Sequence, residues 1–331
     1  MLSLVIPAIV ALITVLILMP PFLKRMHEQG FLGKDMNKFD KPLVAELGGA
    51  VVFLGFSFGV FAAIFIATYL HFFTIELSLL LAGFCTIAMI CFIGVIDDII
   101  GWKKGIRQWQ HALFPILAAL PLMAIQVGET TMNLPLFGEV NLGIFYALII
   151  IPIGITGASN AFNMLAGFNG LEAGQGIILT FVLTIIALLT GQTTAAILGI
   201  AMFGALIAFL KFNWFPAKIF GGDSLTLMVG ANLAIMCIIG NMETIGVIII
   251  GLFFVEFLIK AKHKFQSECF GIPNKKGTLS ANPKGGSLTQ VILKLGKGKL
   301  TEVQVVLIIL GIQTLIGLIA IAYFFVRPIL F

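Results

Sequence analysis

Long apolar stretches separated by short polar segments run along the whole chain. Ten of them reach about 17 to 23 residues, the length needed to cross a hydrocarbon core of about 30 Å as a helix. They lie near residues 1–22, 48–70, 76–96, 109–127, 142–159, 172–190, 194–211, 223–240, 244–260 and 303–325. Because the stretches lack the alternation of a lipid-facing strand, they predict helices and not a barrel. We therefore predict an all-α, polytopic membrane protein with about ten transmembrane helices.

Basic residues fall almost entirely in alternate connecting segments. The segments after spans 1, 3, 5, 7 and 9 hold 19 of the 20 Lys and Arg residues, and the last one, Arg327, follows span 10. Basic residues collect in cytoplasmic loops of membrane proteins. The pattern therefore predicts that the odd-numbered loops are cytoplasmic and that both termini are outside.

Composition agrees with a membrane protein and limits its partners. The chain is 60% hydrophobic and 11% charged, with a mean hydropathy of +1.11. Its net charge of +5 is concentrated on one face, which suits a lipid bilayer with anionic headgroups or a phosphorylated substrate. No soluble domain is present to hold nucleic acid, so we expect no nucleic-acid partner. The four Cys residues show no CxxC spacing, which argues against a disulfide framework or a zinc site.

We treat residues 1–331 as one integral membrane domain. Its largest loop, 261–302, is predicted to be cytoplasmic, between spans 9 and 10. Leu288, Val291, Ile292 and Leu295 have the spacing of a short amphipathic helix at the membrane interface. On the opposite side, alternating apolar residues in 128–142 predict a small hairpin.

Carboxylates stand at two span boundaries. Asp97 and Asp98 close the third apolar stretch, and Asp223 precedes the eighth, directly after two glycines. Adjacent carboxylates repel each other unless a cation or basic group lies nearby. Each feature also has an ordinary explanation, a solvated helix end for the pair and a helix N-cap for Asp223. The predicted topology, however, places them on one cytoplasmic surface together with the end of span 5.

The end of span 5 is unusually polar. Residues 160–176 contain three Asn, one Glu and one Gln between two apolar stretches, and polar groups at a membrane boundary cost free energy unless they bind something. Asn160 and Asn163 share one helix face. Mg2+ takes oxygen ligands from amides and carboxylates and often shares phosphate oxygens. Asn163 with Asp223 is thus a candidate metal site, and the helix start at Asp223 is expected to offer free N–H groups to an anion.

The run 160–176 closely resembles the signature of polyprenyl-phosphate N-acetylhexosamine-1-phosphate transferases, of glycosyltransferase 4 type. The similarity is greatest to the eukaryotic and archaeal dolichyl-phosphate N-acetylglucosamine-1-phosphate branch, and it reaches from about residue 20 to 260. The first loop, around Lys34–Lys38 and Glu46, is similar to the nucleotide-binding loop of that family. The resemblance implies catalytic roles for Asp97 and Asp98, metal ligands at Asn163 and Asp223, acceptor phosphate at Asn160, and nucleotide contacts at Met36, Glu46, Gly167 and Asn169.

Two positions depart from the family pattern. The family usually has a Lys on span 4 that touches phosphate, whereas this chain has His111 there. A neutral imidazole gives up the fixed charge, and Arg107 is a candidate to supply it. The sugar- and diphosphate-binding motif of the last cytoplasmic loop is matched only approximately, by Lys262, His263 and Lys264. These three residues also fit an ordinary positive-inside flank.

The resemblance implies transfer of N-acetylglucosamine-1-phosphate (GlcNAc-1-phosphate) from UDP-GlcNAc to a polyprenyl or dolichyl phosphate, with Mg2+, or Mn2+ in its place, as cofactor. It also suggests a homodimer. One alternative is the same reaction with another UDP-N-acetyl sugar, such as UDP-MurNAc-pentapeptide. A transporter is disfavoured because ionisable residues are scarce within the spans, where transporters place their sites. A non-catalytic scaffold is disfavoured because it has no use for these carboxylates.

Overall fold

A computed structural model of the chain describes residues 2–101, 108–128, 130–134 and 138–330. The first half contains α1 (Val5–Gln29), β1 (Leu32–Lys34), β2 (Leu43–Ala45), α2 (Gly48–Phe65), α3 (Leu77–Gly101), α4 (Gln108–Ala118), α5 (Leu120–Ala124), β3 (Thr131–Leu134) and β4 (Gly138–Asn141). The second half contains α6 (Ile151–Met164), α7 (Leu171–Leu189), α8 (Thr193–Asn213), α9 (Asp223–Ile239), α10 (Glu243–Ile249), α11 (Gly251–Lys262), β5 (Ile272–Pro273), β6 (Thr278–Ser280), α12 (Leu288–Leu295), β7 (Leu300–Thr301) and α13 (Glu302–Leu330).

The helices are long and apolar enough for a membrane protein. Seven in the described part of the chain could cross a bilayer by length and composition, or eight if α10 and α11, bent by 56° at their junction, form one span. Two shorter apolar helices, Leu113–Ala124 and α9, coincide with the predicted spans 4 and 8. Membrane character is therefore confirmed, while the count of ten spans stays a prediction.

Three small sheets lie in the connecting segments. β1 pairs with β2, β3 pairs with β4, and β5, β6 and β7 form a three-stranded sheet, all antiparallel. The β3–β4 pair confirms the predicted hairpin. The amphipathic segment of the large loop is helical, as predicted, but α12 buries Ile292 and Leu293 against the protein while Leu295 stays exposed. Part of its apolar face therefore serves the internal packing of the loop.

α9 lies at the centre of the bundle. It packs between α3 and α6, and all of its residues except Asp223 and Ala234 are buried. Small residues allow close helix contacts elsewhere: a Cβ added at Gly59 of α2 would lie 2.8 Å from the carbonyl oxygen of Pro7 on α1. The central helix is thus held in a tightly packed frame, with its first residue at one end of the bundle.

Candidate active site

Segments from far apart in the chain meet at this end of the bundle. The Thr226 hydroxyl of α9 donates to the Asn163 amide oxygen at the end of α6 (3.1 Å). The Asn213 amide oxygen at the end of α8 accepts the N–H of Gly170, just before α7 (3.2 Å). Asp98, at the end of α3, also contacts the start of α9. The ends of predicted spans 3, 5 and 7 therefore lie together with the start of span 8, as the sequence pattern predicted.

A cavity of about 250 Å³ opens between these segments. Five of the predicted site residues line it: Met36, Glu46, Asn163, Gly167 and Asp223. They come from the first loop, the end of α6, the loop before α7 and the start of α9. The structure thus brings three of the four predicted nucleotide residues and both predicted metal residues to one cavity.

Asn163 and Asp223 fit the chemistry of a magnesium site. Both are oxygen donors and both line the cavity, and the bond from Thr226 orients the amide of Asn163. Among the described residues, no three His, Cys, Asp or Glu side chains are grouped closely enough to hold a metal ion by themselves. A cation here would therefore need ligands from outside the protein, and Mg2+ usually keeps waters and shares phosphate oxygens.

Asp98 is engaged with the backbone of α9. Its carboxylate accepts the N–H of Asp223 (2.6 Å) and the N–H of Ser224 (3.1 Å). The expectation that this helix start offers its first N–H groups to a substrate anion is therefore wrong for these two groups. Asp97 is buried, with 4% of its surface exposed. Neither Asp97 nor Asp98 is among the residues that line the cavity.

Asn169 lies behind the cavity wall. Its amide donates to Asp35 (3.2 Å), and its amide oxygen accepts bonds from Lys38 (3.2 Å) and from the N–H of Ala217 (2.8 Å). Its backbone N–H donates to Glu302 (2.8 Å). Asn169 is buried, and its side chain and backbone together join the loop before α7 to the first loop, to the loop after α8 and to the start of α13. Its predicted contact with the nucleotide stays a prediction.

Two of the three predicted acceptor residues lie on helices that the structure describes. Asn160 is on α6, one turn before Asn163, and its amide donates to the carbonyl oxygen of Thr156 (2.9 Å). His111 lies on α4, but its side chain is outside the described part of the structure. Arg107 also lies outside the described residues. Their predicted contacts with phosphate stay predictions.

The three basic residues predicted to bind sugar and diphosphate are exposed at the end of α11. Lys262, His263 and Lys264 all have open surfaces and do not line the cavity. Another basic residue, on α11 itself, contacts the end of α6. The ammonium of Lys260 donates to the carbonyl oxygen of Met164 (2.5 Å), next to Asn163. The structure therefore places Lys260 nearer to the cavity chemistry than the residues that the sequence singled out.

Gly167 is held in a conformation that requires glycine. Its φ is +101°, and an added Cβ would lie 2.9 Å from the ring of Phe270. Its N–H donates to the Glu172 carboxylate (2.6 Å), and its carbonyl oxygen accepts from the Asn37 amide (3.0 Å). Asn37 also accepts the N–H of Gly271 (3.0 Å). The peptide around Gly167 is thus fixed on both sides within the cavity wall.

Glu46 is half-buried, and its environment disfavours the ionised form. Burial raises the pKa of its carboxyl group above 4.5, and the negative charge of Asp98 raises it further. Its side chain packs against Gly33, whose added Cβ would lie 2.1 Å from a Glu46 oxygen. The carboxyl group of Glu46 therefore lies directly against the backbone of Gly33.

Sequence reasoning missed several residues that shape the site. Glu172 belongs to the polar run 160–176 and Lys38 to the first loop, so both were within segments that drew attention for other residues. Phe270, in contrast, lies in the large loop with no local signal, and it lines the cavity beside Gly167. Such a contact depends on how distant loops fold together, which a local pattern does not reveal.

The chain matches known proteins over most of its length. Residues 80–241 match the model of glycosyl transferase family 4. A protein of Saccharolobus solfataricus, provisionally named a UDP-N-acetylglucosamine–dolichyl-phosphate N-acetylglucosaminephosphotransferase, is 36% identical over 301 residues, covering 90% of each chain.

Two further relatives match over shorter stretches. The UDP-N-acetylglucosamine–dolichyl-phosphate N-acetylglucosaminephosphotransferase of Schizosaccharomyces pombe is 26% identical, covering 67% of this chain and 57% of its own. The phospho-N-acetylmuramoyl-pentapeptide-transferase of Latilactobacillus sakei is 37% identical over 170 residues, covering 49% of this chain and 52% of its own. Similarity to the first of these three relatives, over nine-tenths of both chains, establishes common family membership.

Proposed function

Since the chain belongs to glycosyl transferase family 4, we propose that it transfers GlcNAc-1-phosphate from UDP-GlcNAc to a membrane polyprenyl phosphate of the dolichyl type. The products are polyprenyl-diphosphate-GlcNAc and UMP. The product lipid would begin the assembly of a lipid-linked glycan. The enzyme is a UDP-GlcNAc polyprenyl-phosphate GlcNAc-1-phosphate transferase.

One observation carries the proposal: Glu46, Gly167, Asn163 and Asp223 line a single cavity. The first two are nucleotide residues by family resemblance, and the last two form an oxygen donor pair suited to a cation. Phe220 and Phe270 also line the cavity and offer aromatic surfaces to a base. A nucleoside diphosphate sugar needs both an aromatic surface that contacts the base and oxygen donors that hold a cation at the diphosphate.

Asn163 and Asp223 would hold Mg2+, with Mn2+ able to take its place. The bound cation would neutralise negative charge on the diphosphate during transfer of the sugar phosphate. The protein groups around it have a separate task. The Thr226 hydroxyl fixes the Asn163 amide, and Lys260 fixes the end of α6 through Met164. The chain itself thereby keeps the oxygen donors in position.

The reaction needs charge neutralisation and in-line geometry more than a protein nucleophile. The oxygen of the lipid phosphate attacks the sugar-bound phosphorus, the bond to the UMP phosphate breaks, and UMP leaves. A phosphate monoester has a second pKa near 6, so the acceptor is largely a dianion at neutral pH. A general base would add little. We assign Asp97 to the acceptor side of the site, where its carboxylate would orient the acceptor.

We also propose that the cavity faces the cytoplasm. The segments that meet there follow predicted spans 1, 3, 5 and 7, which carry basic residues, and the ten-span topology puts both termini outside. UDP-sugars would then reach the cavity from the cytoplasmic side, while the polyprenyl chain stays in the bilayer.

The choice of sugar rests on coverage of the relatives. The Saccharolobus relative matches nine-tenths of the chain, whereas the Latilactobacillus relative matches about half. This difference favours GlcNAc over MurNAc-pentapeptide as the transferred sugar.

The decisive experiment uses purified protein with polyprenyl phosphate and UDP-GlcNAc labelled in both the sugar and the nucleotide. We expect labelled UMP in solution, labelled sugar in the lipid fraction, and loss of both on chelation of Mg2+. Release of UDP in place of UMP would identify an ordinary glycosyltransferase and refute the proposal. UDP-MurNAc-pentapeptide, tested in parallel, is expected to give no lipid product.

A further inference from the structure

Asp97 and Asp98 are neighbours in the sequence, but the geometry gives Asp98 a distinct task. Both of its carboxylate oxygens are occupied by backbone donors, one by the N–H of Asp223 and the other by the N–H of Ser224. These are the first two N–H groups of α9, which lack partners within their own helix. A carboxylate at a helix start also interacts favourably with the helix dipole. Asp98 therefore caps α9 from a neighbouring helix.

Glycines on both sides make this contact close. A Cβ added at Gly94, one turn before Asp98 on α3, would lie 2.5 Å from the Cα of Ser224. A Cβ added at Gly222 would lie 2.4 Å from an Asp98 oxygen, and Gly222 has a φ of +73°. The backbones of α3 and α9 can approach this closely only because both positions lack a side chain. Little room is left for a substrate group between Asp98 and the start of α9.

The residue that Asp98 holds is also the one that faces the cavity. Asp223 donates its backbone N–H to Asp98 and itself lines the cavity, as does Asn163, its partner in the proposed metal pair. The direction of a first-turn side chain depends on the direction of that turn. Any shift at the start of α9 would therefore change the distance between the oxygen donors of Asp223 and Asn163.

We propose that Asp98 is a positioning residue: it fixes the first turn of α9 and thereby aims Asp223 at the divalent cation. The inference rests on the proposed function for the identity of the cation. It divides the pair of carboxylates by role, since Asp98 acts through Asp223 while Asp97 keeps its proposed role on the acceptor side.

The first test measures hydrogen–deuterium exchange of the segment 219–228 in detergent-solubilised protein. Three variants are compared with the unchanged protein: Asp98→Ala, Asp98→Asn and the control Asp97→Asn. Loss of a hydrogen bond to a charged acceptor is expected to speed exchange at Asp223 and Ser224 by about tenfold or more in Asp98→Ala. Asp98→Asn keeps one acceptor oxygen and should lie in between, with Asp97→Asn unchanged. Unaltered exchange in both Asp98 variants would overturn the capping role.

The second test measures Mn2+ affinity by electron paramagnetic resonance in the absence of substrate. We expect the Kd for Mn2+ to rise about tenfold in Asp98→Asn, since supporting residues around a metal site typically contribute factors of 10 to 100. Asp97→Asn removes the same charge from the same helix turn and should change the Kd by less than about twofold. Equal weakening in the two variants would show a general charge effect and refute positioning through α9.

Steady-state kinetics complete the comparison and keep two failures apart. In Asp98→Asn, added Mn2+ should restore part of the kcat, while the KM for UDP-GlcNAc stays near its normal value. If the unchanged protein releases no UMP, the proposed function fails, whereas the exchange measurement still decides whether Asp98 caps α9. If UMP is released and neither exchange nor Mn2+ affinity responds to Asp98→Asn, only the positioning inference fails.

Discussion

The ammonium group of Lys38 binds the carboxylate of Glu302, a residue 264 positions later in the chain. Lys38 also pairs with Asp35 (3.0 Å) and donates to Asn169 (3.2 Å). These four side chains tie the first loop and the loop before α7 to the first residue of α13. The cluster links segments that form the cavity wall, and one of its members, Asp35, itself lines the cavity.

Removing one partner of this cluster should destabilise the protein. Lys38→Met would leave Glu302 and Asp35 buried without their cation, a change that typically costs about 3–5 kcal/mol. We expect a clear fall in the thermal unfolding midpoint in detergent. Lys41→Met, an exposed Lys in the same loop, is the control and should unfold like the unchanged protein. Equal midpoints for the two variants would show that the Lys38 ion pairs contribute little.

The proposed metal pair predicts a graded loss of turnover. Asp223→Ala removes a direct oxygen donor and should lower kcat by more than about a hundredfold. Thr226→Val removes the hydroxyl that orients Asn163, not a proposed metal ligand, and should cost about tenfold. UMP release measured against Mg2+ concentration checks both. For Thr226→Val we expect more Mg2+ to be needed for half-maximal rate. A larger loss in Thr226→Val than in Asp223→Ala would contradict this assignment of roles.

Glu46 predicts a pH-dependent effect on stability. The pKa of its carboxyl group is raised above 4.5 in the folded protein. Between pH 4.5 and this raised pKa, the folded state therefore binds more protons than the unfolded state. Stability is then lost as the pH rises from about 4.5 through the raised pKa. Glu46→Gln lacks this loss, so its unfolding midpoint relative to the unchanged protein should increase between pH 4 and pH 7.

The matched control for Glu46 is Asp40→Asn, at an exposed position of the same loop. We expect its midpoint to follow that of the unchanged protein across the same pH range. A pH-independent offset for Glu46→Gln would assign the difference to altered packing against Gly33 and not to ionisation.

The ammonium group of Lys260 should contribute to turnover, beyond the packing of its aliphatic stem. Lys260→Met keeps the aliphatic stem but removes the ammonium that binds the carbonyl oxygen of Met164 and lies 3.6 Å from Glu256. We expect kcat to fall by about tenfold, because the end of α6 that carries Asn163 loses its anchor. Lys284→Met, at an exposed position of the large loop, is the control. Similar rates in the two variants would remove Lys260 from the site.

Much of this architecture could be predicted from the sequence because its signals are local. Apolar stretches marked the helices, and the distribution of basic residues brought the ends of spans 3, 5 and 7 to one surface. The cavity then gathers Glu46, Asn163, Gly167 and Asp223 as expected. Asn163 and Asp223 were predictable because they stand at span boundaries, whereas Glu46 and Gly167 were indicated by the family resemblance.

Other features depended on contacts between segments that share no local pattern. From the sequence, Glu302 is an ordinary first residue of a helix, and only the structure shows its ion pair with Lys38. From the sequence, Asp97 and Asp98 are two equivalent carboxylates. The structure shows that the carboxylate of Asp98 accepts two backbone N–H groups of α9. Asn169, predicted to contact the nucleotide, also belongs to the Lys38 cluster. Side-chain direction at a loop depends on these distant partners, and the sequence does not specify it.

The enclosure of α9 has a consequence for the membrane setting of the site. A 17-residue helix facing lipid would be sensitive to bilayer thickness, since mismatch between helix length and hydrocarbon depth costs free energy. α9 meets other helices on nearly every side, so its length is matched to protein neighbours. The position of Asp223 along the membrane normal is therefore set by the packing of the helix bundle. A change in membrane thickness should affect the outer helices and leave the position of Asp223 within the bundle unchanged.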